Sequence, residues 1–364
     1  ETVTGRWAIG RGMADVAEAA EAANEVPVDL GFVDDCGDPQ LLHPAYFPSK
    51  VGGTPAWLSP EGIASGPSEA LRCNRCGGPL VFLLQVYTGG NWDRPSAFHR
   101  TLFVFICTAP PCFQDGNGAA DHVRVFRSQL PRANPFYSDV PPDDDDLDGT
   151  IARCSAAVRD CISGGLGGAI KAFAELELII DGEPDPESRD GDEDQGEAVA
   201  AAAAAALDPE LTPKDEDEIA GSLDYGGKRQ HLDDHFANFK ERIAAEPSQV
   251  IRYAKGGAPL WIGPGNEGAT AVPPCPSCGA PRTFELQVMP QLLNELDIDV
   301  DASTETIDWG VLAIYTCQDS CDPAGEYAEE WVFSNVVAPN ETDDEDDESD
   351  DDGGKQIVGD PLEL

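Results

Sequence analysis

Apolar residues along this chain gather in short runs rich in β-branched and aromatic side chains, with Pro and Gly punctuating the stretches between them. Leu80 to Tyr87, Thr101 to Cys107 and Val123 to Gln129 form one set; Thr283 to Val288, Gly310 to Thr316 and Glu330 to Val337 form another. Runs of this length bounded by turn formers predict strands. Helical spacing shows at Phe236, Phe239 and Ile243, with Val250 beyond and Pro247 as the stop, which predicts a helix packed on the second strand set with its charged face in solvent. The apolar piece Ala172 to Ile180 fits neither period cleanly, so its type stays open. Residues 1–26 are rich in Ala and Glu, and the tract Ala198 to Ala206 is low complexity.

The strand sets belong to a repeat. VGGTPAWLSPEG from Val51 and CNRCGGPLVFLLQVY from Cys73 return as KGGAPLWIGPGN from Lys255 and CPSCGAPRTFELQV from Cys275, with Trp57 and Trp261, Cys73 and Cys275, Gln85 and Gln287 at nearly constant offset. The expected fold is therefore mostly β with some α (α+β), two related zinc-ribbon-like β modules from an internal duplication. The boundaries read as a disordered 1–26, an N-terminal module over 27–138, an acidic disordered linker over 139–229 with a short docked segment near 172–180, a C-terminal module over 230–338 and an acidic tail over 339–364. Each module needs a partner for the apolar face of its small sheet, so the two are expected to pack together as a pseudo-symmetric body with a groove between or along them.

Each repeat carries two cysteine pairs: Cys73 and Cys76 with Cys107 and Cys112, Cys275 and Cys278 with Cys317 and Cys321. A pair two residues apart turns two thiolates onto one ion, and Gly77, Gly78 and Gly279 suit the tight turn that follows. Two structural zinc ions, each in a closed four-sulfur site, are the expected cofactors. Disulfides are the alternative, and an acidic chain read as intracellular argues against them. Cys36, Cys154 and Cys161 have no partner pattern and read as ordinary thiols. Trp57 and Trp261 sit at matching positions after a Gly-Gly turn; they read first as core anchors and, alternatively, as contacts for a bound client.

The chain has 23 Lys and Arg against 68 Asp and Glu, a net charge of −45. Such a field repels nucleic acid and anionic membranes and favours basic partners. The basic and aromatic strip Arg124, Phe126, Arg127 and Arg132 reads as a half-exposed strand rather than an RNA-binding surface. The longest apolar run, ending at Leu207, falls short of the roughly 18 residues a membrane span needs. His231 and His235 have helical metal spacing, but Leu232 stands where a metalloprotease needs Glu, and the nucleotide-loop and nucleophile-elbow patterns are missing, so no catalysis is expected. The first residue is Glu1, so a preceding segment is expected.

These motifs carry a resemblance. FPSKVGGTPAWL (Phe47 to Leu58), the Cys73 segment, FHR (Phe98 to Arg100), VFRSQLPRANPFY (Val125 to Tyr137), PSQVIRYAKGGAPLW (Pro247 to Trp261), the Cys275 segment and WGVLAIYTC (Trp309 to Cys317) resemble the programmed cell death protein 2 family, which includes fungal proteins of twenty-S ribosomal RNA accumulation. The resemblance implies a dedicated chaperone that captures nascent eukaryotic small-subunit ribosomal protein two (universal number five) and escorts it toward the forty-S precursor. A cytoplasmic monomer is expected, and shuttling to the nucleus stays open because no import or export motif is evident. A zinc-dependent adaptor in nuclear control of proliferation or death is the alternative. The segment between the modules has only Cys154 and Cys161 and no histidine, so the additional MYND-type finger of longer members is not expected.

Overall fold

Most of the predicted strands pair into one antiparallel sheet that curls round and meets itself. A computed structural model of the chain describes residues 26–65, 69–90, 93–113, 117–163, 173–184, 228–264, 269, 271–296, 298, 307–322 and 327–336. The segments 1–25, 185–227 with the alanine tract, and 337–364 with the acidic tail lie outside the described residues. Among these, the strands are β1 (Asp29–Asp34), β2 (Lys50–Val51), β3 (Val81–Tyr87), β4 (His99–Ile106), β5 (Gly118–Ala119), β6 (Val123–Leu130), β7 (Leu176–Gly182), β8 (Ile251–Tyr253), β9 (Arg282–Val288), β10 (Val311–Cys317) and β11 (Ala328–Asn335). Their order is β10-β9-β8-β1-β7-β2-β3-β4-β6-β11, and pairing of β10 with β11 closes a ten-strand barrel, while β5 adds to the far half of β11.

Each half contributes a four-strand meander, β2-β3-β4-β6 and β8-β9-β10-β11. The first bulges on β3 at Leu83, the second on β9 at Glu285. On one side the meanders meet directly, Ala328 to Glu330 of β11 pairing with Arg127 to Val125 of β6. On the other side β1 and β7 fill the gap, paired from Asp29 opposite Gly182 to Asp34 opposite Glu177. They are exchanged: β1, from the N-terminal half, also pairs with β8, and β7 also pairs with β2. The ambiguous piece at 172–180 is thus a strand. The expectation of two separate small sheets packed face to face is corrected here, because the halves join edge to edge. Closure satisfies the unpaired backbone groups that two open sheets would present.

The barrel interior is one apolar cluster drawn from both halves, including Leu84, Val86, Leu102, Val104 and Ile106 with Leu286, Val288, Leu312 and Ile314. The alternate residues Phe103 and Phe105 point outward and are covered by Trp57, Leu58, Tyr137 and Val158. Covering both faces explains why β4 reads as a continuous apolar run. Helix α3 (Lys228–Ile243) covers the outside of the second half, burying Phe239 and Ile243 against Ile262, Met289 and Val311. The stretch expected to be linker departs from that reading where it is described: it holds α1 (Leu147–Ala152), capped by Asp146 accepting from the Gly149 N–H at 3.0 Å, and α2 (Ala156–Ser163). Cys154 and Val158 dock there under the Phe and Trp cluster. A short helix α4 (Leu292–Glu295) follows β9.

An ion pair inside the barrel joins the two halves. Arg100 of β4 donates to both carboxylate oxygens of Glu285 on β9, at 2.7 Å for Nη2 to Oε2, and Thr316 and Tyr253 donate to the same carboxylate. Burial alone would raise the pKa of Glu285, but Arg100, Lys255 and the hydrogen bonds hold it down to about 2.

Candidate metal centres

The first knuckle, just before β3, is built by local sequence. Cys73 N–H donates to the Gly78 carbonyl (2.8 Å) and Gly77 N–H to the Cys73 carbonyl (2.9 Å). Gly77 sits at φ 70°, which suits glycine. The second knuckle repeats this with Cys275 to Ala280 and Gly279 to Cys275, both 2.8 Å, and Gly279 at φ 74°. Cys107 follows the last residue of β4, Cys317 is the last of β10, and a tight turn after each strand returns Cys112 and Cys321.

All eight candidate cysteines gather as anticipated, into Cys73, Cys76, Cys107 and Cys112, and Cys275, Cys278, Cys317 and Cys321, with the sulfurs of each set within 4.8 Å of one another. Closest approaches are 3.8 Å for Cys73 to Cys112, 3.7 Å for Cys76 to Cys107, and 3.6 Å for both Cys275 to Cys321 and Cys278 to Cys317. A disulfide needs about 2.05 Å. A tetrahedral ion with sulfur bonds of about 2.3 Å needs edges of about 3.8 Å, so the sulfurs fit one ion per set. Because neighbouring strands in the ring alternate in direction, the two centres lie at opposite ends of the barrel.

Within each set the thiols differ. The Gly78 N–H and the Cys107 thiol pull Cys76 down to about 7, while burial pushes Cys107 up to about 11. Cys275 falls to about 7, backbone N–H donors outweighing its burial, and burial pushes Cys321 up to about 12. Loading an ion therefore displaces several thiol protons from each set.

The remaining candidates divide. Trp57 is 5 % exposed, packed on Phe103 at 5.1 Å and edge-on to Tyr327 at 5.3 Å. Trp261 is half-buried against Phe333. The residue before each tryptophan is pinned by the same kind of bond, Ala56 N–H to Gln85 Oε1 at 2.8 Å and Leu260 N–H to Gln287 Oε1 at 2.7 Å. Cys36 donates to the Asp38 carbonyl, Cys154 is buried, and the side chain of Cys161 lies outside the described residues, as does that of His231. The basic strip is neutralised from across the seam: Arg124 bonds Glu329 at 2.6 Å and Arg127, fully buried, bonds Glu330 at 2.7 Å. Sequence reasoning missed both these pairs and Arg100 with Glu285. The FHR motif was the available signal for the last.

A closed antiparallel barrel of two meanders bridged by β1 and β7, each meander carrying a cluster of four cysteines, defines the class: a barrel with two four-cysteine clusters that could each hold an ion. Family models for the N-terminal and C-terminal domains of programmed cell death protein 2 match residues 27–144 and 233–336. The chain is 38 % identical to programmed cell death protein 2 of Mus musculus over 87 % of its length and 98 % of that protein, and 37 % identical to the Bos taurus protein over 88 % and 98 %. It is 34 % identical over 113 residues, 27 % of each chain, to a 20S rRNA accumulation protein 4 of Schizosaccharomyces pombe. This chain belongs to the programmed cell death protein 2 family. No solved structure matches it.

Proposed function

We propose that this chain is a non-catalytic escort for the basic small-subunit ribosomal protein two (universal number five), binding it during synthesis and so supporting forty-S biogenesis. The observation that carries this reading is the family match together with a relative named for 20S rRNA accumulation. The net charge of −45 supports a cationic client held by an acidic field. So does the outer face of the β1–β7 pair, where Phe32 and Ile179 pair, Ile179 at 44 % exposure, with Asp34 opposite Glu177 and Asp181 opposite Leu30 beside them. The client is proposed to come first to such acidic surface, with the monomer working in the cytoplasm and passing to the nucleus.

Both centres are proposed to hold zinc, since four soft thiolates at tetrahedral spacing are its structural ligand set. An ion there would tie each knuckle to its strand ends and supply folding free energy, with every coordination position filled by protein. The matched meanders support descent of the halves from one duplicated module.

Purification of the tagged chain from translating cells, with and without puromycin, tests the reading. One basic small-subunit protein should dominate the eluate, and ribosomes should co-purify only without puromycin. A broad nuclear set with no dominant ribosomal protein would favour the adaptor and overturn the escort.

A further inference from the structure

Arg127 belongs to β6 of the N-terminal half, yet it reaches the centre of the C-terminal half. Its Nη1 donates to the Cys321 carbonyl at 2.9 Å and its Nη2 lies 3.8 Å from Cys321 Sγ. Gln129, on the same face of β6, donates to the carbonyls of Ser320 at 3.2 Å and Cys321 at 3.4 Å. Glu330 completes the link: its carboxylate accepts from Arg127 Nε at 2.7 Å, Arg282 Nε at 2.9 Å and the Cys317 N–H at 3.2 Å. Two of the four ligands are therefore held by groups that meet only when β6 and β11 pair.

The first centre is different. In the register of the two meanders Val125 corresponds to Val332, so Ser334 and Val336 stand where Arg127 and Gln129 would be. Cys112 is bonded by Arg75 of its own half at 2.6 Å, and among the described residues no hydrogen bond from the C-terminal half reaches a ligand of this centre.

Charge gives the asymmetry a consequence. Arg127, Arg282 and Glu330 form a nearly dry cluster of two cations and one anion. Without an ion the four sulfurs offset the surplus positive charge only in part, whereas four thiolates on a divalent ion carry a net −2 beside it. We propose that the C-terminal metal centre is built across the seam between the halves, with Arg127 and Gln129 as its outer-shell positioning residues, so that its metal loading sets closure of the β6–β11 seam while the N-terminal centre is self-contained. The proposal rests on the reading that both centres hold ions.

The test uses the full chain loaded with two equivalents of zinc. Arg127→Gln is expected to weaken one ion by about 10–100-fold in chelator competition, the usual effect of losing an outer-shell partner, and to leave the other unchanged. Arg124→Gln is the control, because Arg124 pairs across the same seam without touching a ligand, and it should move neither ion. Should Arg127→Gln fail to fold, stepwise chelation of the wild type followed by hydrogen exchange reads the same coupling. Release of the ion bound by Cys275, Cys278, Cys317 and Cys321 should speed exchange in β6, whereas Cys112→Ser should leave β11 protected. Equal weakening of both ions, no weakening, or β6 protection indifferent to that release would overturn the proposal. A purified chain carrying no metal would instead remove the metal reading beneath it.

Discussion

Replacing Arg100 by Met tests whether a charge pair inside the barrel holds the two halves together. The Arg100 side chain is 3 % exposed and that of Glu285 0 %, and they come from β4 and β9, strands that are not neighbours in the ring. Cutting the side chain leaves a buried carboxylate with only Thr316, Tyr253 and a distant Lys255 Nζ at 4.0 Å. Breaking such a pair from one side costs about 3–5 kcal/mol. The acidity of Glu285 gives the same order: a fall from 4.5 to about 2 corresponds to roughly 3 kcal/mol favouring the ionised form in the fold. Since the folded value is depressed, that stability is fully present above 4.5 and is lost as pH falls through about 2. Removing both charges should be far milder. Leu83 already fills the bulge position on β3 that Glu285 fills on β9. Arg100→Met combined with Glu285→Leu should therefore return to within about 1–2 kcal/mol of wild type. Urea unfolding of the metal-loaded chain at pH 7.5, followed by tryptophan fluorescence, measures all three proteins. A single variant costing under about 1 kcal/mol, or a double variant no better than the single, would refute the reasoning.

Two further outcomes follow from local geometry. His99 stacks on Phe47 at 4.3 Å and bonds the Tyr87 hydroxyl at 3.0 Å; burial, then the charge of Arg132, lowers it from 6.5 to about 4. The unfolded chain binds that proton first, so stability falls as pH drops from 6.5 toward 4, by about 2 kcal/mol at pH 5. His99→Phe removes the term, and the variant's stability relative to wild type should improve by that amount between pH 7.5 and 5 in paired urea titrations. Gly52 and Gly256 stand at matching places with φ 62° and 83°, but a Cβ on Gly52 would lie 1.8 Å from the Ala174 carbonyl oxygen while one on Gly256 meets open space. Gly52→Ala should cost roughly 2–5 kcal/mol and Gly256→Ala only about 1–2 kcal/mol by the same assay, and equal costs would show that β7 is not seated there.

What was legible in the sequence was what is local. A knuckle closes within six residues, so Cys73 to Gly78 and Cys275 to Ala280 announce themselves, and the apolar runs of β3, β4, β9 and β10 mark strands whatever they pair with. Pairing partners are not local. Nothing in DLGFVD at β1 names β8, two hundred residues on, as its neighbour, and the weak alternation of β7 reflects a strand whose Ile179 and Ile180 are both exposed. The strip Arg124 to Arg127 read as half-exposed because its partners, Glu329 and Glu330, belong to the C-terminal half. In the acidic stretch, net charge hid α1 and α2, which are held by a few residues such as Cys154 and Val158.

Strand exchange binds the fate of one half to the other. β2 is two residues long and β8 three, too short to hold an edge; β8 is backed by β1 from the N-terminal half and β2 by β7, which lies between the two halves. A chain cut between β7 and α3 would leave β7 with the N-terminal fragment and the C-terminal meander without β1, so each piece would expose an unpaired edge and half an apolar interior. The same logic applies from the metal ends. Each centre gathers the start of one strand and the end of the next, and only the C-terminal one is also held from the other half, through Arg127 and Gln129 of β6, so releasing its ion should loosen the β6–β11 seam while release from the N-terminal centre should leave that seam paired. The two halves carry matching motifs, yet each supplies a strand without which an edge of the other stays open.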